Sequence, residues 1–393
     1  SDRVAKDYLQ SFQKIAENIE DAQSIDDWYG IMDDLTDWSV KFDNLGDQGL
    51  GQLLDEQWKE ANQQFTKFIE AHYENWLHSD NKPLMSPEII PTHIQGKLQN
   101  DEKIVLIIID CLRADQLKAM TSLLAQIFHI DTKYYLSILP TATPYSRNAI
   151  FSGYYPNELQ NEYGELWQKM WQDEHSMNRF ENQFLRDQLN RLGLESKSIH
   201  YHKVITYEEG NKLETRIGEF KEVDLLAIVI NFVDILGHSR SESNILQEMV
   251  PDESAYRKAV CSWLENAWLL NVLEEISNWG HTVFLTSDHG STRVTKPVQI
   301  KGDRQTSTGI RFKYGQNIKM PEKSGITIPN PEKYFLPKHD LNTNYLIAKS
   351  GNFLIYPNEY HKFANHYNNS FQHGGISLEE MVVPIAELKG KNG

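Results

Sequence analysis

Cysteine is nearly absent. Among 393 residues only Cys111 and Cys261 occur, both in apolar surroundings, so no disulfide framework is available and a reducing, cytoplasmic setting is expected. No run approaches the roughly 18 consecutive apolar residues needed to span a bilayer. No signal-peptide pattern is visible either, so membrane insertion is not expected. Positive charge is scarce: 39 Lys and Arg stand against 55 Asp and Glu, for a net charge of −16. That balance argues against a sequence-independent binder of long duplex DNA. Neither a P-loop nor a glycine-rich dinucleotide fingerprint follows any strand-like run, and internal repeats and low-complexity segments are missing. The chain opens at Ser1 rather than methionine and is read as an excised or processed segment.

What is present has two grammars. Residues 1–80 show no convincing strand; AKDYLQSFQKIAENIEDAQ and LLDEQWKEANQQFTKFIEAHYENWL carry apolar residues at helical spacing. This part is expected to be a helical subdomain, with Trp38, Trp58, Phe65, Tyr73 and Trp76 as core or contact residues. Residues 81–100, opening with the proline-rich NKPLMSPEIIPTH, are expected to be a linker. From 101 to 393 apolar runs alternate with helical stretches: KIVLIIID (103–110), a helix over RADQLKAMTSLLAQIF, LLAIVINFVD (225–234), a long helix near 252–279, HTVFLTSDHG (281–290), NFLIYP (352–357) and MVVPIAEL (381–388). That alternation predicts an α/β fold, a mostly parallel sheet flanked by helices, with ligands beyond the carboxyl ends of the strands.

Charge is distributed unevenly. Residues 1–90 hold 7 basic against 19 acidic side chains, whereas residues 291–325 hold 8 basic against 2 acidic. The basic stretch could funnel a small anionic substrate, with Lys301 and Arg304 as candidate phosphate contacts, or could be a solvated loop.

Three apolar runs end alike. KIVLIIID delivers Asp110, AIVINFVDILGH delivers Asp234 and His238, and TVFLTSDHG delivers Asp288 and His289; SFQHGGISLEEMVVPI adds His373 ahead of two glycines. Carboxylates and imidazoles at several strand ends can converge on one sheet edge. Between the first two runs lies LPTATPYSRNAIFSGYYP (139–156), in which Thr143 precedes Pro144. Thr143 is expected to be a helix N-cap, its hydroxyl near the positive end of the helix. A threonine hydroxyl attacks only when a metal or base activates it, and the converging carboxylates and histidines meet that need. Arg147, one helical turn on, could reach a phosphoryl group or brace Asp110. Arg113, three residues beyond Asp110, could pair with a nearby carboxylate.

These residues resemble the alkaline phosphatase superfamily of two-metal hydrolases. PTATPYSRNAIFSG is similar to the nucleophile region of its nucleotide pyrophosphatase/phosphodiesterase branch, and DCLRAD, SDHG and FQHGGISLEEMVVPI most resemble the PglZ domain. The whole chain is similar to the effector portion of PorX-type response regulators of type IX secretion, whose receiver domain would lie outside these residues. The resemblance implies one metal held by Asp110, Thr143, Asp288 and His289, and a second held by Asp234, His238 and His373. Two zinc ions suit mixed N and O donors, with manganese as an alternative. It further implies Thr143 as nucleophile in a phosphodiesterase acting on a small nucleotide or short oligonucleotide, and, by analogy with the regulators, a homodimer and a sigma factor or other regulatory partner. Two alternatives stay open: a metal-dependent phosphomonoesterase, and a non-catalytic metal-stabilised signalling or dimerisation module.

Overall fold

The computed structural model describes residues 2–45, 48–173, 176–232, 236, 248–302, 307–358 and 360–392. Three helices come first: α1 (Asp2–Asp21), α2 (Ile25–Phe42) and α3 (Gln48–Leu77). Ser24 starts α2 through a capping box. Its hydroxyl accepts from the Asp27 amide at 3.2 Å while the Asp27 carboxylate accepts from the Ser24 amide at 3.1 Å. Tyr8, Trp28, Leu35, Phe65, Ile69 and Tyr73 from these helices lie in one hydrophobic core with Leu136, Ile138, Leu139, Tyr145 and Tyr345 of the following part. The segment expected as a linker packs too. Pro87 and Pro91 sit at the starts of short helical turns, Ser86–Glu88 and Ile90–Ile94, followed by α4 (Gln95–Gln99). Met85, Ile89, Ile90, Ile94 and Leu98 are fully buried.

The apolar run KIVLIIID forms β1 (Ile104–Ile109), every residue of which is buried. A strand paired on both edges and covered on both faces has no use for polar alternation. After it come α5 (Ala114–Leu124), β2 (Phe128–Leu136), α6 (Thr143–Ser152), α7 (Pro156–Glu162), α8 (Gly164–Gln172), α9 (Glu181–Arg191), β3 (Ile199–Val204), α10 (Tyr207–Arg216), β4 (Leu225–Ile230), α11 (Glu253–Asn266), α12 (Trp268–Ser277) and β5 (Thr282–Thr286). Among the described residues seven short strands follow, β6 (Thr292–Arg293), β7 (Lys296–Gln299), β8 (Phe312–Gln316), β9 (Gly325–Ile328), β10 (Thr343–Ala348), β11 (Asn352–Ile355) and β12 (Phe371–Gln372), and then the long β13 (Val382–Gly390).

The main sheet has the order β2-β13-β5-β1-β4-β3, with β5, β1, β4 and β3 parallel and β13 antiparallel to both its neighbours. This is the mostly parallel, helix-flanked α/β sheet the sequence predicts. One face packs on α5, α11 and α12 through Leu117, Met120, Val260, Leu264 and Val272. The other packs on α6 and α9 through Ile150, Phe151, Phe184, Leu185 and Leu189. Ile108 is in register with Val229 and Thr286, so β1, β4 and β5 end at one level and send their next residues to one edge.

Two elements differ from expectation. The long helix near 252–279 is two helices, broken at Ala267 in an extended conformation. The break lets the Trp268 indole lie on Gly210 of α10, where any Cβ would sit 1.9 Å from Nε1. NFLIYP does form a strand, β11, but it pairs with β7 outside the main sheet.

Asn62 of α3 ties the helical part to the chain near residue 379. Its amide donates to both Glu379 carboxylate oxygens at 3.0 and 3.1 Å and its carbonyl accepts from the Leu378 amide at 2.8 Å. Burial pushes the Glu379 carboxyl up, with Arg113 and Asn62 acting the other way. Asn62→Ala strands a buried carboxylate and a buried amide, and should cost roughly 2–4 kcal/mol. Denaturant unfolding monitored by tryptophan fluorescence checks this; an unchanged midpoint would remove the contact from the forces holding the two parts together.

Candidate metal and phosphoester site

At the carboxyl edge of β1 the Asp110 amide donates to Ile230 O at 2.8 Å, the last step of the β1–β4 ladder. The chain then turns through Cys111, which takes a left-handed φ of 67°. That conformation is uncommon for a residue with a Cβ, and the neighbouring strand end holds it in place. The Cys111 amide donates to Asp288 Oδ1 at 3.1 Å and the Leu112 amide to Ser287 Oγ at 2.9 Å. Beyond β5, the carbonyls of Ser287 and Asp288 are fixed in turn by the Tyr135 and Ser137 hydroxyls at 2.5 and 2.8 Å. Gly290 follows because the backbone of Glu379 passes so close that a Cβ would lie 1.7 Å from its carbonyl oxygen.

Thr143 begins α6 facing these turns. Its Oγ1 lies 3.2 Å from Asp110 Oδ1 and 3.1 Å from His289 Nε2. His289 Nδ1 lies 2.8 Å from Gly290 O; a carbonyl only accepts, so Nδ1 carries the proton and the Nε2 lone pair faces the threonine. Ala142 occupies the N-cap position and Thr143 makes no capping bond. The expected N-cap role is therefore corrected: the hydroxyl is engaged by Asp110 and His289 instead of the helix amides.

Asp110, Asp288 and His289 offer ligand atoms that all lie within 4.8 Å of one another, and all three residues are buried. His289 Nε2 is 3.7 Å from Asp110 Oδ1 and 3.5 Å from Asp288 Oδ2. Asp288 Oδ2 is buried and accepts no hydrogen bond from the described residues. A buried carboxylate oxygen lacking a donor costs free energy unless a cation meets it. Two carboxylates and a neutral imidazole around that oxygen fit a divalent ion of the zinc or manganese type.

Two like charges so close need compensation. Arg147, 1% exposed, donates from Nη1 to Asp110 Oδ2 at 2.9 Å and from Nε to Glu181 Oε1 at 2.5 Å. The Tyr201 hydroxyl donates to Glu181 Oε2 at 2.6 Å. Burial alone would lower the Arg147 pKa, but Glu181 and Asp110 outweigh it and keep the guanidinium charged. Burial likewise pushes the Asp288 carboxyl up, yet the positive charge His289 carries when protonated, together with Arg147 and the Cys111 amide, holds it below the usual carboxylate range in the ion-free site.

Residues 89–388 match the family described as the BREX system PglZ alkaline phosphatase-like domain. The chain belongs to the PglZ family. Residues 1–77, the helical part ahead of the PglZ domain, match the PorX response regulator linker domain. No curated protein matches the chain at a significant level. Among solved structures, phosphonoacetate hydrolase from Sinorhizobium meliloti 1021 in complex with phosphonoformate superposes with a TM-score of 0.44 at 9% identity, over 73% of this chain and 89% of that one. Murine ectonucleotide pyrophosphatase/phosphodiesterase 5, an inactive form in complex with AMP, gives 0.41 at 13% identity, over 73% and 88%. Its human counterpart gives 0.42 at 14%, over 74% and 88%. Membership rests on the match to the PglZ family itself.

In this PglZ domain His373 also comes to the cluster. Its ring stacks on His289 with centroids 4.2 Å apart and planes 26° apart, and its Nδ1 lies 3.3 Å from Thr141 O. Buried Glu380 organises that loop, accepting from the Gly375 amide at 2.8 Å and pairing with Arg311 at 2.5 Å. Asp234, His238 and Arg304 lie outside the described residues. Lys301 is exposed, its backbone paired with Lys319, and among the described residues no contact joins it to the cluster. The basic stretch is not one solvated patch: Arg311 and Lys313 are buried, and Arg293 pairs with Glu253 at 2.9 Å. Arg113 pairs with Asp115, also at 2.9 Å. The sequence reading missed two residues that shape the site. Glu380 had a signal, since Ser377 and Glu380 form an S-x-x-E capping pattern at the start of a short helix. Glu181, in a helix rich in polar residues, had none.

Arg147→Met would leave Asp110 and Glu181 buried without their cation and should destabilise the fold by about 3–5 kcal/mol. Adding Glu181→Gln should recover part of that loss. Calorimetric melting of the single and double variants tests both, and a single variant as stable as the parent would contradict the charge balance described above.

Proposed function

We propose that this chain is a two-metal phosphodiesterase that cleaves a small nucleotide or short oligonucleotide through Thr143, acting as the effector of a response regulator. The carrying observation is the placement of Thr143 Oγ1 within hydrogen-bond distance of both Asp110 and His289, beside the buried Asp288 Oδ2, which has no donor among the described residues. One ion would be held by Asp110, Thr143, Asp288 and His289, the other by Asp234, His238 and His373. Zinc suits this donor set, with manganese as the alternative. When bound, the ions would lower the pKa of the threonine hydroxyl and neutralise charge on the phosphoryl oxygens.

The protein's own residues do the rest. Asp110 orients Oγ1, and the start of α6 puts its positive end by the incoming anion. Thr143 Oγ1 attacks phosphorus, the Oγ1–P bond forms, and the bond to the leaving alcohol breaks. Water then hydrolyses the phosphothreonine and returns the free hydroxyl. Arg147, enclosed by Asp110 and Glu181, positions Asp110 and does not contact substrate. Diester preference is favoured by the similarity of PTATPYSRNAIFSG and VDILGH to the phosphodiesterase branch. The match of residues 1–77 to a response regulator linker domain supports the regulatory role. A homodimer, a sigma factor or other regulatory partner, a cytoplasmic setting and a place in type IX secretion belong to the same reading; no described helix is long and apolar enough to cross a membrane.

Purified protein should carry two zinc ions per chain by elemental analysis and should cleave bis-p-nitrophenyl phosphate faster than p-nitrophenyl phosphate. Thr143→Ala should retain metal yet lose at least about a thousandfold in kcat, the scale seen when a nucleophile is deleted. His373→Ala should lose both metal and turnover. Faster monoester cleavage would make the protein a phosphomonoesterase. Metal binding with no turnover of either ester, or of short oligonucleotides, would leave a signalling module.

A further inference from the structure

One cation on the catalytic face is not used by the site described above. Lys203 lies one residue before the end of β3, in register with Val229 of β4, which is in register with Ile108 of β1. Two strand spacings, about 10 Å, therefore separate its backbone from that of Ile108. Ile108 and Asp110 share a face of β1 by the two-residue period of a strand. On β3, Val204 packs into the core on the opposite face, whereas Tyr201 lies on the α6 and α9 side, where its hydroxyl meets Glu181. Lys203, two residues beyond Tyr201, points to that same side. It is half-buried, and Glu181, Arg147 and Asp110 are the charges that act on it.

Among the described residues the Lys203 ammonium has neither an ion pair nor a hydrogen bond. The neighbouring carboxylates are otherwise engaged: Glu181 by Arg147 and Tyr201, Asp110 by Arg147 and Thr143. Burial lowers its pKa, with Glu181 opposing. A half-buried ammonium without a partner among the described residues, on the sheet face that carries Asp110, has a natural complement in an anion brought by the substrate.

We propose that Lys203 binds an anionic phosphoryl oxygen of the substrate and positions the ester for attack by Thr143. This inference rests on the phosphoester hydrolase reading. Lys203 would act by charge and reach, without transferring a proton. An ammonium–phosphate contact of this kind is charge-assisted, and it forms when substrate binds, so its loss falls mainly on binding.

The test uses the intact zinc-loaded chain with Lys203→Met and Lys203→Arg. Inorganic phosphate binding is measured by calorimetry, and bis-p-nitrophenyl phosphate kinetics are measured in parallel. Lys203→Met should weaken phosphate binding roughly tenfold to a hundredfold and raise KM by a similar factor, with kcat within about threefold of the parent. Lys203→Arg, which keeps the charge, should restore most of the affinity, and zinc content and melting temperature should be unchanged in both variants. A parent that binds phosphate and cleaves the ester while Lys203→Met matches it in affinity and KM overturns the role of Lys203 alone. A Lys203→Met variant that loses kcat and zinc together shows a structural residue and also overturns it. A parent that neither binds phosphate nor cleaves the ester overturns the hydrolase reading, and this inference with it.

Discussion

Two buried carboxylates, Asp110 and Asp288, face one imidazole at the end of a parallel sheet, and the surrounding structure is arranged to tolerate them. Isolated charges at such depth would neutralise by taking up protons. Instead Arg147 covers one side of Asp110, backbone amides cover Asp288 Oδ1, and Glu181 balances the guanidinium. One carboxylate oxygen, Asp288 Oδ2, is left buried without a donor among the described residues. The charges of the described residues around this cluster thus offset one another and leave one oxygen open to a cation.

The helical segment reaches this point by contacts of the same type. Arg257 of α11 joins Asp43, just beyond the end of α2, to Asp115 at 2.8 Å on each side. Asp115 holds Arg113, which donates to the Ser291 carbonyl two residues past His289, at 3.2 Å. Asn62 holds Glu379, whose backbone lies against Gly290. A shared hydrophobic core adds to these ties, so α2 and α3 are joined to the SDHG turn through packed and hydrogen-bonded residues. The residues that match a linker domain are thus tied to the turn that carries Asp288 and His289, and among the described residues they add no side chain to the cluster.

Much of this was legible in the residues. Buried parallel strands announce themselves as unbroken apolar runs, so β1, β4 and β5, and the acidic residues that end or follow them, could be read from KIVLIIID, LLAIVINFVD and HTVFLTSDHG. The strand ends suggested that Asp110, Asp288 and His289 could meet at one edge, and the resemblance of PTATPYSRNAIFSG to a nucleophile region put Thr143 with them. Arg147 could be read as a brace for Asp110, but its second partner Glu181 could not, because Glu181 is far along the chain and belongs to no pattern. Nor did it disclose that Arg311 and Lys313 of the basic stretch are buried, since charge counting takes no account of a partner such as Glu380. The break at Ala267 has no proline or glycine to mark it; a tertiary contact between Trp268 and Gly210 explains it.

The central claim is that the converging donors form a metal centre around Thr143. Crystals grown with zinc, measured on both sides of the zinc absorption edge, test it most directly. The account predicts an anomalous peak bonded to Asp110, Asp288 and His289 and within reach of Thr143 Oγ1, with a second beside His373. A peak-free cluster in crystals that hold zinc elsewhere on the chain would contradict it.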